Sequence, residues 1–296
     1  MTQDRLSLKV QQLGAAFPER VVALPDGSHV AWREAGAAAA GDGDGFAVVM
    51  LHGISSGAAS WLDVAVPLAA QVRVLAWDAP GYGASTPLAQ PAPTDADYAR
   101  VLAQSLEILG VRRCVLVGHS LGALTAARWA AAAPDGPSCG VDALVLISPA
   151  GGYGAPAQAA RQAEVRRTRL AALADKGVAG LAAEIDRRLV SPEAQEAVRE
   201  WVRWNTARMG ASGYAQAVEL LCSGDLGRAA GRLSMPVHVW VGEHDVVTPP
   251  AACRGWAESL GANYRTLANA GHASPVEQPV AIAQGLASLL TPGTSR

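Results

Sequence analysis

Cys114-Val115-Leu116-Val117-Gly118-His119-Ser120-Leu121-Gly122-Ala123 decides how the rest of the chain is read. An apolar, strand-like run meets G-x-S-x-G, and an Ala-rich helical stretch follows to Ala133. A strand that reverses into a helix within a few residues leaves no room for side chains at Gly118 and Gly122. It also forces the residue at the apex into a strained conformation. Ser120 is therefore lifted clear of the sheet, with the N-terminus of a helix aimed at the same point. Such a serine is a candidate nucleophile, and it needs a base and an acid farther along the chain.

Both are present, in the order acid then base. Val237-His238-Val239-Trp240-Val241 alternates and is β-branched, so it reads as a buried strand. It ends in Gly242-Glu243-His244-Asp245, where Asp245 is the candidate acid and Glu243 a nearby competitor. Thr248-Pro249-Pro250 opens a helix from Ala251 to Leu260, and Tyr264 to Leu267 makes a last short strand. Gly271-His272 follows it directly. Imidazole is the usual general base because it titrates near neutrality. Asp245 would fix its tautomer and balance the imidazolium as it forms.

Upstream, Ala47 to Leu51 is a short buried strand and His52-Gly53-Ile54 comes next. The backbone N–H groups of Ile54 and Leu121 are the expected donors to a developing oxyanion. His52 is read as structural, and so is Asp78 in the turn Asp78-Ala79-Pro80-Gly81-Tyr82-Gly83-Ala84-Ser85. Candidate pocket residues are Ser55 and Trp61 near the oxyanion loop. His119 joins them, although its side chain should turn away from Ser120, as do Trp201 and Trp204 farther on.

Together these motifs resemble the α/β-hydrolase family, from about Val21 to Leu290. The resemblance implies an α/β fold: a mostly parallel central sheet with helices on both faces and a helical cap inserted before the last strands. Some relatives carry the acid after the preceding strand. The corresponding Ser148-Pro149-Ala150-Gly151-Gly152 has no carboxylate, which favours Asp245. The steps Asp245-Val246-Val247-Thr248-Pro249-Pro250 and His272-Ala273-Ser274-Pro275-Val276-Glu277-Gln278-Pro279 look most like the 3-oxoadipate enol-lactonase branch. A departure is Gly122-Ala123, where those lactonases usually carry two glycines. A serine nucleophile suits acyl transfer, so the resemblance implies a serine esterase or lactonase needing no metal or cofactor. Meta-cleavage C–C hydrolysis, cofactor-free haloperoxidation, acyl transfer to another acceptor and ligand binding without turnover remain open on this fold.

The strand–helix alternation stops between Gly151 and Leu233, where the pattern is wholly helical. The expected division is a core of residues 1–150 and 234–296 with a cap of 151–233. Residues 1 to 20 read as an extension with a short helical piece, Glu19 to Arg33 as a β-hairpin and Gly36 to Gly45 as a mobile loop. The chain has 296 residues, 50% hydrophobic, with a formal net charge of −2, which gives nucleic acid no electrostatic reason to bind. No run of about 20 apolar residues predicts a membrane span, and Met1 to Phe17 carries no leader-like apolar stretch. The four cysteines lack C-x-x-C spacing, which argues against a metal site or disulfide framework. A cytoplasmic enzyme acting on a small molecule is expected, with a homodimer left open.

Overall fold

Val48 and Met50 face one side of a sheet, Ala47, Val49 and Leu51 face the other, and all five are fully buried. Neighbouring Val115 and Val117 against Cys114 and Leu116 divide the same way. Strands covered on both faces give the near-continuous apolar runs seen in the sequence. The structure, a computed structural model, describes residues 2–36, 45–132 and 139–290. Residues 37–44, most of the expected mobile loop, lie outside the described residues.

Eight strands form one sheet: β1 (Glu19–Ala23), β2 (His29–Ala35), β3 (Phe46–Leu51), β4 (Val74–Trp77), β5 (Arg113–His119), β6 (Gly140–Ile147), β7 (Val237–Gly242) and β8 (Asn263–Leu267). Their spatial order is β1-β2-β4-β3-β5-β6-β7-β8. β1 pairs antiparallel with β2, as does β2 with β4; every other pair is parallel. The expected hairpin at Glu19 to Arg33 is thus the antiparallel edge of an otherwise parallel sheet. This is the α/β-hydrolase architecture.

One face is covered by α3 (Asp95–Ile108), α4 (Gly122–Ala130) and α9 (Pro250–Leu260). Thr94 starts α3 as expected: its N–H and Oγ both donate to Asp97 Oδ2, at 2.9 and 2.8 Å. The other face is covered by α1 (Thr2–Ala16), α2 (Leu62–Leu68) and α10 (Pro279–Ala287). The N-terminal extension is thus a 15-residue helix rather than a short piece. Leu13 and Phe17 anchor it in the core, and Lys9 Nζ reaches Asp63 Oδ2 at 2.5 Å.

Between β6 and β7 the chain leaves the sheet for α5 (Ala159–Glu184), α6 (Asp186–Leu189), α7 (Glu196–Ala207) and α8 (Ala211–Ser223). Trp201 and Val202 on α7 are buried, as the helical spacing of Val198, Trp201, Val202 and Met209 predicted. α1 packs against α7 as well as α2, so the N-terminal helix touches both the insertion and the sheet layer. Among the described residues, no helix is long and apolar enough to cross a membrane.

Candidate active site

Ser120 follows β5 at φ 52, a left-handed conformation that a non-glycine residue adopts only under constraint. Its N–H donates to Ile147 O at 2.9 Å, which ties the apex to the end of β6. Its side chain faces His272, with Oγ 2.9 Å from Nε2. On the far side of the ring, Nδ1 lies 2.9 Å from Asp245 Oδ2. A buried carboxylate only accepts, so the Nδ1 hydrogen goes to Asp245 and Nε2 is left to accept from the serine hydroxyl. The two bonds fix the tautomer that a general base requires.

Asp245 is buried, yet its carboxylate is well supplied with donors. Oδ1 accepts from the N–H groups of Val247 at 2.8 Å and Thr248 at 2.9 Å, and Oδ2 accepts from Thr248 Oγ at 3.0 Å. Burial alone would raise its pKa. The facing His272 and the Thr248 N–H outweigh that and hold the carboxyl down at about 2. The competitor Glu243 turns away and accepts from Asn269 N–H at 3.2 Å.

The Ile54 and Leu121 N–H groups, the expected oxyanion donors, are aimed by their own peptide partners. Each planar trans peptide places C=O and N–H on opposite sides, so fixing the carbonyl fixes the hydrogen. Ser120 O accepts from Ala123 and Ala150 N–H, each at 3.1 Å, which sets the Leu121 N–H. Gly53 O accepts from His52 Nδ1 at 2.8 Å, which sets the Ile54 N–H. His52 Nε2 in turn accepts from Ala79 N–H at 3.0 Å. Burial lowers the His52 pKa, keeping the ring neutral with one donor and one acceptor, as these two bonds need. Among the described residues, neither the Ile54 nor the Leu121 N–H meets a protein acceptor. Replacing His52 with phenylalanine should therefore lower kcat about tenfold to a hundredfold while leaving KM within a few-fold, because one oxyanion donor loses its aim. Steady-state kinetics on folded variant check this; a loss confined to KM would sink the positioning role.

These groups open onto a cavity of about 270 Å³. The core contributes Ile54, Ser120, Leu121 and His272 to its wall, and the insertion contributes Arg169, Ile185, Arg188, Leu189, Val202 and Asn205. Ser55 and His119, expected in the substrate pocket, line this cavity. His119 also donates from Nε2 to His272 O at 2.8 Å, and burial beside His272 holds its pKa down at about 3. It is thus a neutral prop for the His272 backbone.

Trp61, Trp201 and Trp204 do not line the cavity. Trp61 is fully buried in the core, its ring edge-on to His119 at 6.3 Å. Trp201 and Trp204 stack on each other at 4.6 Å, and Lys9 of α1 lies 5.0 Å from the Trp201 ring. Trp201 thus meets the N-terminal helix, which sequence reading had no means to pair with α7, and Trp204 lies under Arg208, 4.7 Å from its ring. Asp78 takes its structural place, with Oδ1 accepting from Ala58 N–H at 2.8 Å.

Three features were missed. Thr248 supports the acid, and Trp256 lines the cavity from α9. Glu277 ties the His272 loop to the insertion: Oε2 accepts from Gly271 N–H at 2.8 Å and Oε1 from Ser191 N–H at 2.7 Å. Thr248 and Glu277 sit in the two motif steps quoted above, but a step in a motif does not say which backbone atoms the side chain will meet.

Residues 48–284 match the alpha/beta hydrolase family. A pimeloyl-[acyl-carrier protein] methyl ester esterase of Chromobacterium violaceum is 30% identical over 224 residues, 74% of this chain and 83% of the relative. A 2-hydroxy-6-oxononadienedioate/2-hydroxy-6-oxononatrienedioate hydrolase of Cupriavidus pinatubonensis is 33% identical over 158 residues, about half of each protein (51% and 50%). Among solved structures, an enol-lactonase from Burkholderia xenovorans LB400 superposes with a TM-score of 0.79 at 24% identity, covering 92% of this chain and 100% of the other. At that identity the superposition speaks for the fold.

Proposed function

The chain belongs to the alpha/beta hydrolase family, and from that premise we propose that it cleaves a carboxylic ester or lactone through an acyl-enzyme on Ser120. The observation that carries this reading is the unbroken relay Asp245–His272–Ser120, with both links at 2.9 Å, opening onto a cavity. His272 Nε2 takes the Ser120 proton as Oγ attacks the carbonyl carbon. The Ile54 and Leu121 N–H groups hold the oxyanion. Collapse expels the alcohol, which leaves with the proton from His272. Water then gives a proton to His272 and its oxygen to the acyl carbon, and the acid departs as Ser120 recovers its hydrogen.

Asp245 stays ionised through this cycle, since its pKa lies far below neutrality. In this reading residues 151–233 act as a cap over a core of residues 1–150 and 234–296. A cap that excludes water strengthens every hydrogen bond made to the transition state. The methyl ester esterase relative supports ester chemistry. The C–C hydrolase relative aligns over only about half of this chain (51%). Four free, buried thiols fit a reducing, cytoplasmic setting.

The test is a p-nitrophenyl ester series of increasing chain length, with labelling by a fluorophosphonate probe. Turnover and labelling that both map to Ser120 support the reading. Folded protein that neither labels nor turns over any ester or enol-lactone overturns it.

A further inference from the structure

The cavity wall carries two guanidinium groups, Arg169 on α5 and Arg188 on α6, and no aspartate or glutamate. This is a marked local excess in a chain whose formal net charge is −2. Arg161, Arg166, Arg199, Arg203 and Arg228 of the insertion pair with carboxylates, and Arg167, Arg187, Arg208 and Arg232, which reach none among the described residues, lie outside the cavity wall. Arg169 and Arg188 reach no carboxylate among the described residues. Arg169 is half-buried, and its one polar side-chain contact there is a 3.4 Å approach to the Tyr214 hydroxyl, which is neutral. Arg188 is exposed and lines the same cavity; for the half-buried Arg169, a cation left uncompensated in a partly desolvated wall is unfavourable until an anion arrives.

We propose that the cavity selects esters or lactones whose acyl half ends in a carboxylate, received by Arg188 and Arg169 while the scissile carbonyl lies at Ser120. The inference rests on the hydrolase reading above and names the substrate class of that same site. The geometry divides the labour. The reacting groups sit on the sheet layer, and the cations sit on the helical insertion, so the acyl chain runs between the two. A cavity of about 270 Å³ suits a short acyl chain. Low-dielectric walls bearing one sign of charge also concentrate anions ahead of binding.

The experiment titrates folded Ser120→Ala protein with monomethyl glutarate and with methyl valerate, its uncharged counterpart, followed by calorimetry. The anionic ester should bind at least about tenfold tighter, since hydrogen bonds to charged groups are the stronger class. The advantage should shrink as salt is raised. Arg188→Gln and Arg169→Gln should each cut it severalfold, and the double substitution should abolish it. Arg187→Gln, exposed and outside the cavity wall, should leave it intact. Equal binding of the two esters, or an advantage that survives the double substitution, overturns the proposal. Turnover of the same pair by unsubstituted protein separates the two ideas. Arginine-dependent binding in a protein that neither labels at Ser120 nor turns over any ester or enol-lactone keeps the anion site and sinks the hydrolase reading. Turnover of methyl valerate at least as efficient as that of monomethyl glutarate keeps the hydrolase and sinks the site.

Discussion

Replacing Ser120 with alanine is expected to lower kcat on any accepted ester by about 10⁴- to 10⁶-fold, the range seen when the nucleophile of such a relay is removed. KM should change little, because Oγ is one atom on a wall built by both the sheet layer and the insertion. The fold should survive. The N–H of Ser120 still meets Ile147 O, and the φ of 52 is imposed by the surrounding backbone. Asp245→Asn should cost about 10⁴-fold by a different route. An amide at that position offers its NH₂ as well as its oxygen, so the 2.9 Å bond no longer dictates which imidazole nitrogen carries the hydrogen. Combining the two substitutions should cost scarcely more than Ser120→Ala alone, because a base without a nucleophile has nothing to activate. Single-turnover kinetics with an ester of measurable background hydrolysis check all three. Additive losses would show that Asp245 acts independently of the relay.

The elements that were legible in sequence share one property: each is announced within a few residues. Ser120, Asp245 and His272 all stand within five residues past the end of a strand and within three residues of a glycine, where an apolar run gives way to a turn. The alternation of apolar runs with helical stretches gave the parallel sheet in the same local way. The largely helical nature of 159–223 was legible too, because the strand–helix alternation stops there and Val198, Trp201, Val202 and Met209 fall at helical spacing.

What was illegible depends on which helix meets which. Trp201 and Trp204 were expected at the substrate because they lie in the insertion. They instead stack beside a lysine of α1, nearly two hundred residues away in sequence. Arg169 and Arg188 look, in sequence, like any solvated arginines of a polar helix face. Only the packing of α5 and α6 over the sheet layer distinguishes them from Arg161 or Arg166, which found carboxylates. His52 shows a subtler limit. Its structural role was readable, but the role consists of which way a peptide plane turns, and no pattern of residue types records that.

The same substitution at two helical glycines should have opposite signs. Gly122 opens α4 and Gly255 lies inside α9. A Cβ at Gly255 would meet no atom within 4 Å, so alanine there adds helix propensity and should stabilise by about 0.5–1 kcal/mol. A Cβ at Gly122 would stand 2.5 Å from Leu51 O and 2.8 Å from His52 O. Both contacts are backbone atoms at the end of β3, so no rotamer change relieves them. The propensity gain is then overwhelmed, and Gly122→Ala should destabilise by about 3 kcal/mol or more, the upper range for overpacking. Any relief must move the β3 end, which carries His52 and Gly53 and therefore the aim of the Ile54 N–H. Activity should thus fall beyond what the lost stability explains, even at temperatures where the variant remains folded. Urea midpoints and kcat for the two variants decide it. A mild, stabilising Gly122→Ala would mean that helix and strand can separate at the elbow, and the close approach that lifts Ser120 into reach would not be what holds the turn.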